Sequence, residues 1–295
     1  MSDFVLSCCS TTDLKPEYVK ERNIEYLPFH YELADKSYSD DLGQSLDYHG
    51  FYQAMVDGAM TRTSQPNVED YEEYFEKYLK EGKDVLHLVL SSGISGAINS
   101  ATAAANELRE KYPDRKLYVV DSLCASGGFG FIMDALADLR DEGKNIDELY
   151  KFAEDRKLYV NHWFFTSDLT FFIRGGRVSK TSGYVGKLLN ICPLLNVDFM
   201  GRLIPRYKIR TKKKVMEAIV DKMAELAEGG EDYTGKVFIT HADVLDDAKE
   251  VAGMIEKRFP KMNGKVDINY IGPTIGAHTG PGTVALFFWG AKRVD

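Results

Sequence analysis

The runs DFVLSC, DVLHLVLS and KLYVVDS limit most tightly how this chain can fold. Each is short, rich in β-formers and closed by small polar residues, so each reads as a buried strand. Helical stretches separate them. KPEYVKERN follows Thr12 and Asp13 and carries Pro16 where a first helical turn would start. NVEDYEEYFEKYLKEG sets Asn67 and Asp70 at capping-box spacing, with Gly82 as a stop. AINSATAAANELREKY and GGFGFIMDALADLRDEG complete the series. Strands alternating with helices predict a parallel sheet covered by helices on both faces, an α/β N-terminal domain over residues 1–158.

Within that half, YELADKSYSDDLGQSLDYHGFYQAMVDGAM reads as a hairpin leading into a helix. After NIDELYKFAEDRK the texture changes. LYVNHWFFTSDLTFFIRGGRVS is dense in aromatic residues, and YVGKLLNICPLLNVDFMGRLIPRYKIRT reads as an apolar helix followed by a hairpin turning at Met200–Gly201. KKKVMEAIVDKMAELAEGG is an amphipathic helix. KVFITHAD, DDAKEVAGMIEKRF, KVDINYIG and TVALFFWG then give strand, helix, strand, strand. A mixed α/β C-terminal domain over residues 159–295 is expected, facing the first across a cleft.

A net charge of −8 excludes general nucleic-acid binding, which needs basic patches to displace counterions. No segment is long and apolar enough to span a bilayer. Cys8, Cys9, Cys124 and Cys192 have neither CxxC nor zinc-ligand spacing, and adjacent Cys8 and Cys9 would make a strained bridge. Free thiols and a reducing, cytoplasmic location are expected.

Four loops carry candidate chemistry. In LVLSSGISGAINSA a buried strand ends at Leu90 and a helix begins near Ala97, so Ser92, Gly93, Ser95 and Gly96 stand at the carboxyl edge of a parallel sheet, where ligands bind. Free N–H groups and the helix dipole favour an anion there. TRTSQPNVEDY places Thr63 and Ser64 in a loop before Pro66, just upstream of a capped helix. In FFIRGGRVS, Arg174 and Arg177 flank a Gly-Gly turn and suit a carboxylate or phosphate. IGPTIGAHTGPGTVALFF displays His278 and Thr279 on a constrained Gly/Pro loop.

The sequence has no HExxH, no metal-spaced cluster of carboxylates and histidines, and no GxSxG elbow. No metal or bound cofactor is therefore expected. A Ser–His–acid hydrolase or acyltransferase built on Ser92 and His278 stays open as an alternative. Anion-binding loops beside a region rich in Phe, Leu, Ile and Tyr instead suit a ligand with an anionic head and an apolar tail.

Together, VLSCCSTTDL, TSQP, LSSGISGAINSA, VVDS, RGGRVS, GRLIP with KIRTKKK, and IGPTIGAHTGPGTVALFF resemble the DegV family of bacterial fatty-acid-binding proteins, nearly end to end. The resemblance implies two α/β domains with a fatty acid such as palmitate, stearate or oleate buried between and within them. It implies a non-catalytic subunit that presents the acid to an ATP-dependent fatty acid kinase related to dihydroxyacetone kinases. The acyl phosphate so formed feeds phospholipid synthesis. By motif, Thr63, Ser64, Ser92, Gly93, Ser95 and Gly96 hold the carboxylate, His278 and Thr279 lie beside it, and Arg174 and Arg202 form a charged rim facing the kinase. A lipid-responsive regulator without a kinase partner is the family-level alternative. The chain departs from the family where its first strand ends: Cys9-Ser10 replaces the usual Asp-Ser.

Overall fold

The computed structural model describes residues 4–179 and 191–294. Strands β1 (Phe4–Cys9), β2 (Ile24–Leu27), β6 (Asp84–Val89) and β7 (Leu117–Asp121) form a four-stranded sheet in the order β2-β1-β6-β7. All of its pairings are parallel. Helices α3 (Val68–Lys80) and α4 (Ala97–Lys111) pack together on one face. α5 (Gly127–Asp141) and α6 (Ile146–Arg156) pack on the other. Both-face burial explains why the strands read as continuous apolar runs, with Leu6, Leu86 and Leu88 almost fully buried.

The start of α3 follows its sequence closely. Asn67 accepts from the Asp70 N–H at 2.8 Å, and Asp70 accepts from the Asn67 N–H at 2.8 Å. Gly82 ends it with a positive φ of 75°. Pro16 does open α1 (Pro16–Glu21), but neither Thr12 nor Asp13 caps that helix. Both are buried, and Asp13 turns inward instead.

The second sheet has six strands in the order β10-β9-β8-β13-β11-β12. They are β8 (Val160–Phe165), β9 (Ile191–Val197), β10 (Leu203–Arg210), β11 (Phe238–His241), β12 (Asp267–Tyr270) and β13 (Val284–Trp289). Only β11 and β12 pair in parallel. The hairpin expected around Met200–Gly201 is the β9–β10 turn. The apolar helix read in YVGKLLN lies outside the described residues. α8 (Lys212–Leu226) and α9 (Leu245–Arg258) cover one face of this sheet, while α5 packs against the other. α5 thus lies between the two sheets. Its Phe129 and Leu136 share one continuous core with Val85 and Leu88 of the first sheet and with Phe164, Ala285 and Phe287 of the second.

Two segments differ from their sequence reading. Thr61–Ser64 is a strand, β5, because it pairs with β3 (His30–Leu33), which also pairs with β4 (Lys36–Ser39). Pro273–Thr279 is a helix, α10, where a loop was expected, with Pro273 in its first turn and Gly280 beyond its end. The expected hairpin into a helix is present as β3, β4 and α2 (Tyr48–Val56). Tyr31, Phe51, Tyr52 and Met55 of that unit form a small core with Ile271 and Ala277, which ties β3 and α2 to α10.

Candidate ligand-binding site

A pocket opens between the inner face of the second sheet and the loops at the carboxyl edge of the first. Leu90, Ile94 and Ala125 line it from one side and Phe164, Ala285 and Phe287 from the other. Its cavity is about 80 Å³ and its lining is mostly apolar, which suits an extended aliphatic chain better than a bulky ring system.

Hydrogen-bonding groups gather where β5 meets α10. Thr63 Oγ1 and His278 Nε2 lie 2.8 Å apart, and both residues line the pocket. Burial pushes the His278 pKa down to about 4, helped by the Arg177 guanidinium, so the imidazole is neutral near pH 7. Arg177 also lines the pocket. It donates through Nη1 to the Gly175 carbonyl at 2.6 Å and through Nε to the Ile94 carbonyl at 3.3 Å, which fixes the guanidinium beside the histidine. Ser95 lines the same pocket, donating to Gln65 Oε1 at 3.1 Å and accepting from the Ala97 N–H at 3.2 Å. Thr279 is buried in the wall, its hydroxyl 3.4 Å from the Gly280 carbonyl.

Four other loop residues fall outside the lining. Ser64, Ser92 and Gly96 are exposed. The Ser92 N–H donates to Asp121 Oδ1 at 3.1 Å, and Gly96 is the residue before α4. Gly93 serves close packing: a Cβ there would lie 2.5 Å from the Met200 carbonyl oxygen. Ser91 Oγ joins the same loops, donating to the Gly201 carbonyl at 2.9 Å and accepting from the Gly93 N–H at 3.0 Å. Gly93→Ala should therefore destabilise the fold by about 1–3 kcal/mol, through overpacking against backbone that cannot rotate away. Urea denaturation checks this; an unchanged midpoint would mean that the β9–β10 turn does not press on this loop. The hydrolase pairing is not assembled, since His278 bonds Thr63 while Ser92 lies outside the pocket.

Both rim arginines are exposed. Arg174 lies over the Phe171 ring, 5.4 Å from its centroid. Arg202 is gripped by buried Asp198, with Nη2 at 2.6 Å and Nε at 2.8 Å from Oδ2. Cys9 is turned into the core. Its Sγ lies 3.4 Å from Tyr71 OH and 3.7 Å from His87 Nε2, and burial pushes its pKa up to about 11.

Two buried carboxyl groups were not among the site residues read from the sequence. Asp13 accepts from the Gly272 N–H at 2.9 Å and bonds Ser126 Oγ, whose residue lines the pocket. Asp40 bonds the hydroxyl and N–H of Thr274, another lining residue. Burial raises Asp13 to about 8 and Asp40 to about 6. Among the described residues no His, Cys, Asp and Glu cluster could hold a metal ion. No described helix is long and apolar enough to cross a membrane.

Fold and pocket together define a class: a two-sheet α/β protein enclosing a narrow apolar pocket with hydrogen-bonding groups at one end. The chain belongs to the DegV family, whose model, described as "Uncharacterised protein, DegV family", matches residues 9–290. A DegV domain-containing protein of Clostridium perfringens is 36% identical over 293 residues, covering 99% of each chain. A Thermotoga maritima relative named fatty acid-binding protein is 33% identical over 281 residues, covering 94% of each. The solved structure of a DegV lipid binding protein from the same organism aligns with a TM-score of 0.83 at 30% identity, covering 100% of both chains. Fatty-acid binding is thus found among members of this family.

Proposed function

We propose that this chain binds a long-chain fatty acid of the palmitate, stearate or oleate kind and presents its carboxylate to a separate ATP-dependent kinase. One observation carries the reading: the Thr63–His278 hydrogen bond stands at the polar end of a narrow apolar pocket. Each methylene buried in that pocket contributes about 0.8 kcal/mol, so a long chain needs few polar anchors. Neutral His278 donates through Nε2 to Thr63 Oγ1, which leaves the Thr63 hydroxyl proton for the carboxylate; the Ser95 hydroxyl turns from Gln65 to donate as well, and Arg177 supplies the positive charge. Thr279 closes the wall beside them.

The exposed groups Ser64, Ser92 and Gly96, with half-buried Gly93 between them, shape the mouth around the acid head. Arg174 and Arg202 form the rim that meets the kinase. There a carboxylate oxygen attacks the γ-phosphorus of ATP, the bond to the β-phosphate oxygen breaks, and acyl phosphate and ADP leave. The kinase supplies ATP and metal, which places the exchange in the cytoplasm. The N-terminal domain, 1–158, contributes the loops around the head, and the C-terminal domain, 159–295, the floor under the chain.

Native mass spectrometry of protein purified without added lipid tests the reading. A bound fatty acid is expected. Thr63→Ala with His278→Ala should weaken palmitate binding about 10- to 100-fold, the loss of hydrogen bonds to a charged group. An empty protein that takes up no fatty acid on incubation sinks the proposal.

A further inference from the structure

His162 occupies the pocket wall with an unused hydrogen-bonding atom. It lines the pocket, is only 2% exposed, and its Nε2 has no partner. Buried polar atoms are nearly always paired, so this one requires a reason. The other ring nitrogen fixes the tautomer. Nδ1 lies 3.1 Å from the Val160 carbonyl, which can only accept, so Nδ1 carries the proton. Nε2 is then a bare acceptor. Burial and the Arg293 charge hold the ring neutral, which keeps that lone pair free.

Strand register places His162 away from the polar end. Thr283 lies four residues past the end of α10, and β13 then runs through Ala285, opposite Phe164, to Phe287, opposite His162. Four residues along a strand span about 13 Å. The lining between is apolar, with Ala285, Phe164 and Phe287 in sequence along the wall. The imidazole packs edge-on against Gly128 of α5, where a Cβ would stand 1.9 Å from Nε2. Any other residue at 128 would push the ring out of this position.

We infer that the far part of the pocket recognises an acyl chain bearing a hydroxyl group on its distal half, with His162 Nε2 accepting the hydroxyl proton. This rests on the fatty-acid reading above and narrows it to a ligand class. A saturated chain leaves Nε2 unsatisfied. A hydroxylated chain fills the same space and satisfies it.

The test is displacement of a fluorescent fatty acid by palmitate and by a series of hydroxypalmitates with the hydroxyl walked from mid-chain to the terminal carbon. One distal isomer should bind at least as tightly as palmitate and about 10-fold more tightly than isomers with the hydroxyl elsewhere, the effect of one made against one unmade buried hydrogen bond. His162→Phe keeps a flat ring without the acceptor and should erase that preference, with palmitate affinity retained. His162→Leu should do the same if the Phe variant melts early. The inference is overturned if every hydroxy isomer binds more weakly than palmitate, or if both variants lower palmitate and hydroxypalmitate equally, which marks a packing role. Failure of palmitate and all hydroxypalmitates to bind would bring down the fatty-acid reading itself.

Discussion

Ala285→Phe should abolish fatty-acid retention while leaving a folded protein. Ala285 lies on β13 between Thr283 and Phe287, beside Phe164 on one neighbouring strand and Thr240 on the other. It is 6% exposed and lines the pocket. A phenyl ring there projects into a cavity of only about 80 Å³. Excluding about four methylenes removes about 3 kcal/mol of burial, on the order of a hundredfold in affinity. Overpacking costs about 1–3 kcal/mol, offset in part because the ring enters open space rather than a filled core. Native mass spectrometry should find the variant empty, and its thermal transition should stay cooperative. Wild-type retention in a folded variant would show that the chain runs elsewhere.

The position of Ala285 also illustrates what could be read without coordinates. TVALFFWG is legible as a strand because a run of six apolar residues rich in β-formers follows a turn signal, and the DVLHLVLS and KLYVVDS strands are legible from similar apolar runs. Which face of β13 looks into the pocket depends on its pairing with β8, more than 100 residues earlier, and no local pattern encodes that partner. The same limit hid β5 and α10. Thr61–Ser64 is too polar to announce a strand and becomes one by pairing with β3. PTIGAHT is too rich in Gly and Pro to announce a helix, yet it forms one turn after another against Phe51 and Tyr52. The hydroxyl and imidazole were legible as candidates because TSQP and GAHTGPG are distinctive. Their 2.8 Å contact joins residues 215 apart in the chain and exists only once those elements have docked. Arg177 and Arg174 flank the same Gly-Gly turn, and only folding separates the lining arginine from the exposed one.

Asp13→Asn should remove a pH dependence that the wild type carries between about pH 4 and pH 8. The wild-type carboxyl is raised to about 8, first by burial, against the opposing bonds from Ser126 and Gly272, and further by Asp40. In the unfolded chain it titrates near 4. A raised acid stabilises the fold fully while protonated in both states, below about pH 4. That contribution fades as the unfolded state ionises and the folded state resists, and it is gone above about pH 8. The loss is on the order of a few kcal/mol. Asparagine mimics the protonated acid. Its Oδ1 can accept the Gly272 N–H, and its amide can donate to Ser126 Oγ, which then donates to Thr240 Oγ1, 3.0 Å away. Urea denaturation should find the variant close to wild type near pH 4 and more stable by a few kcal/mol at pH 8, whereas Asp13→Ala should be weaker at both. A variant less stable than wild type at pH 8, with the wild-type slope retained, would mean that Asp13 folds as a carboxylate.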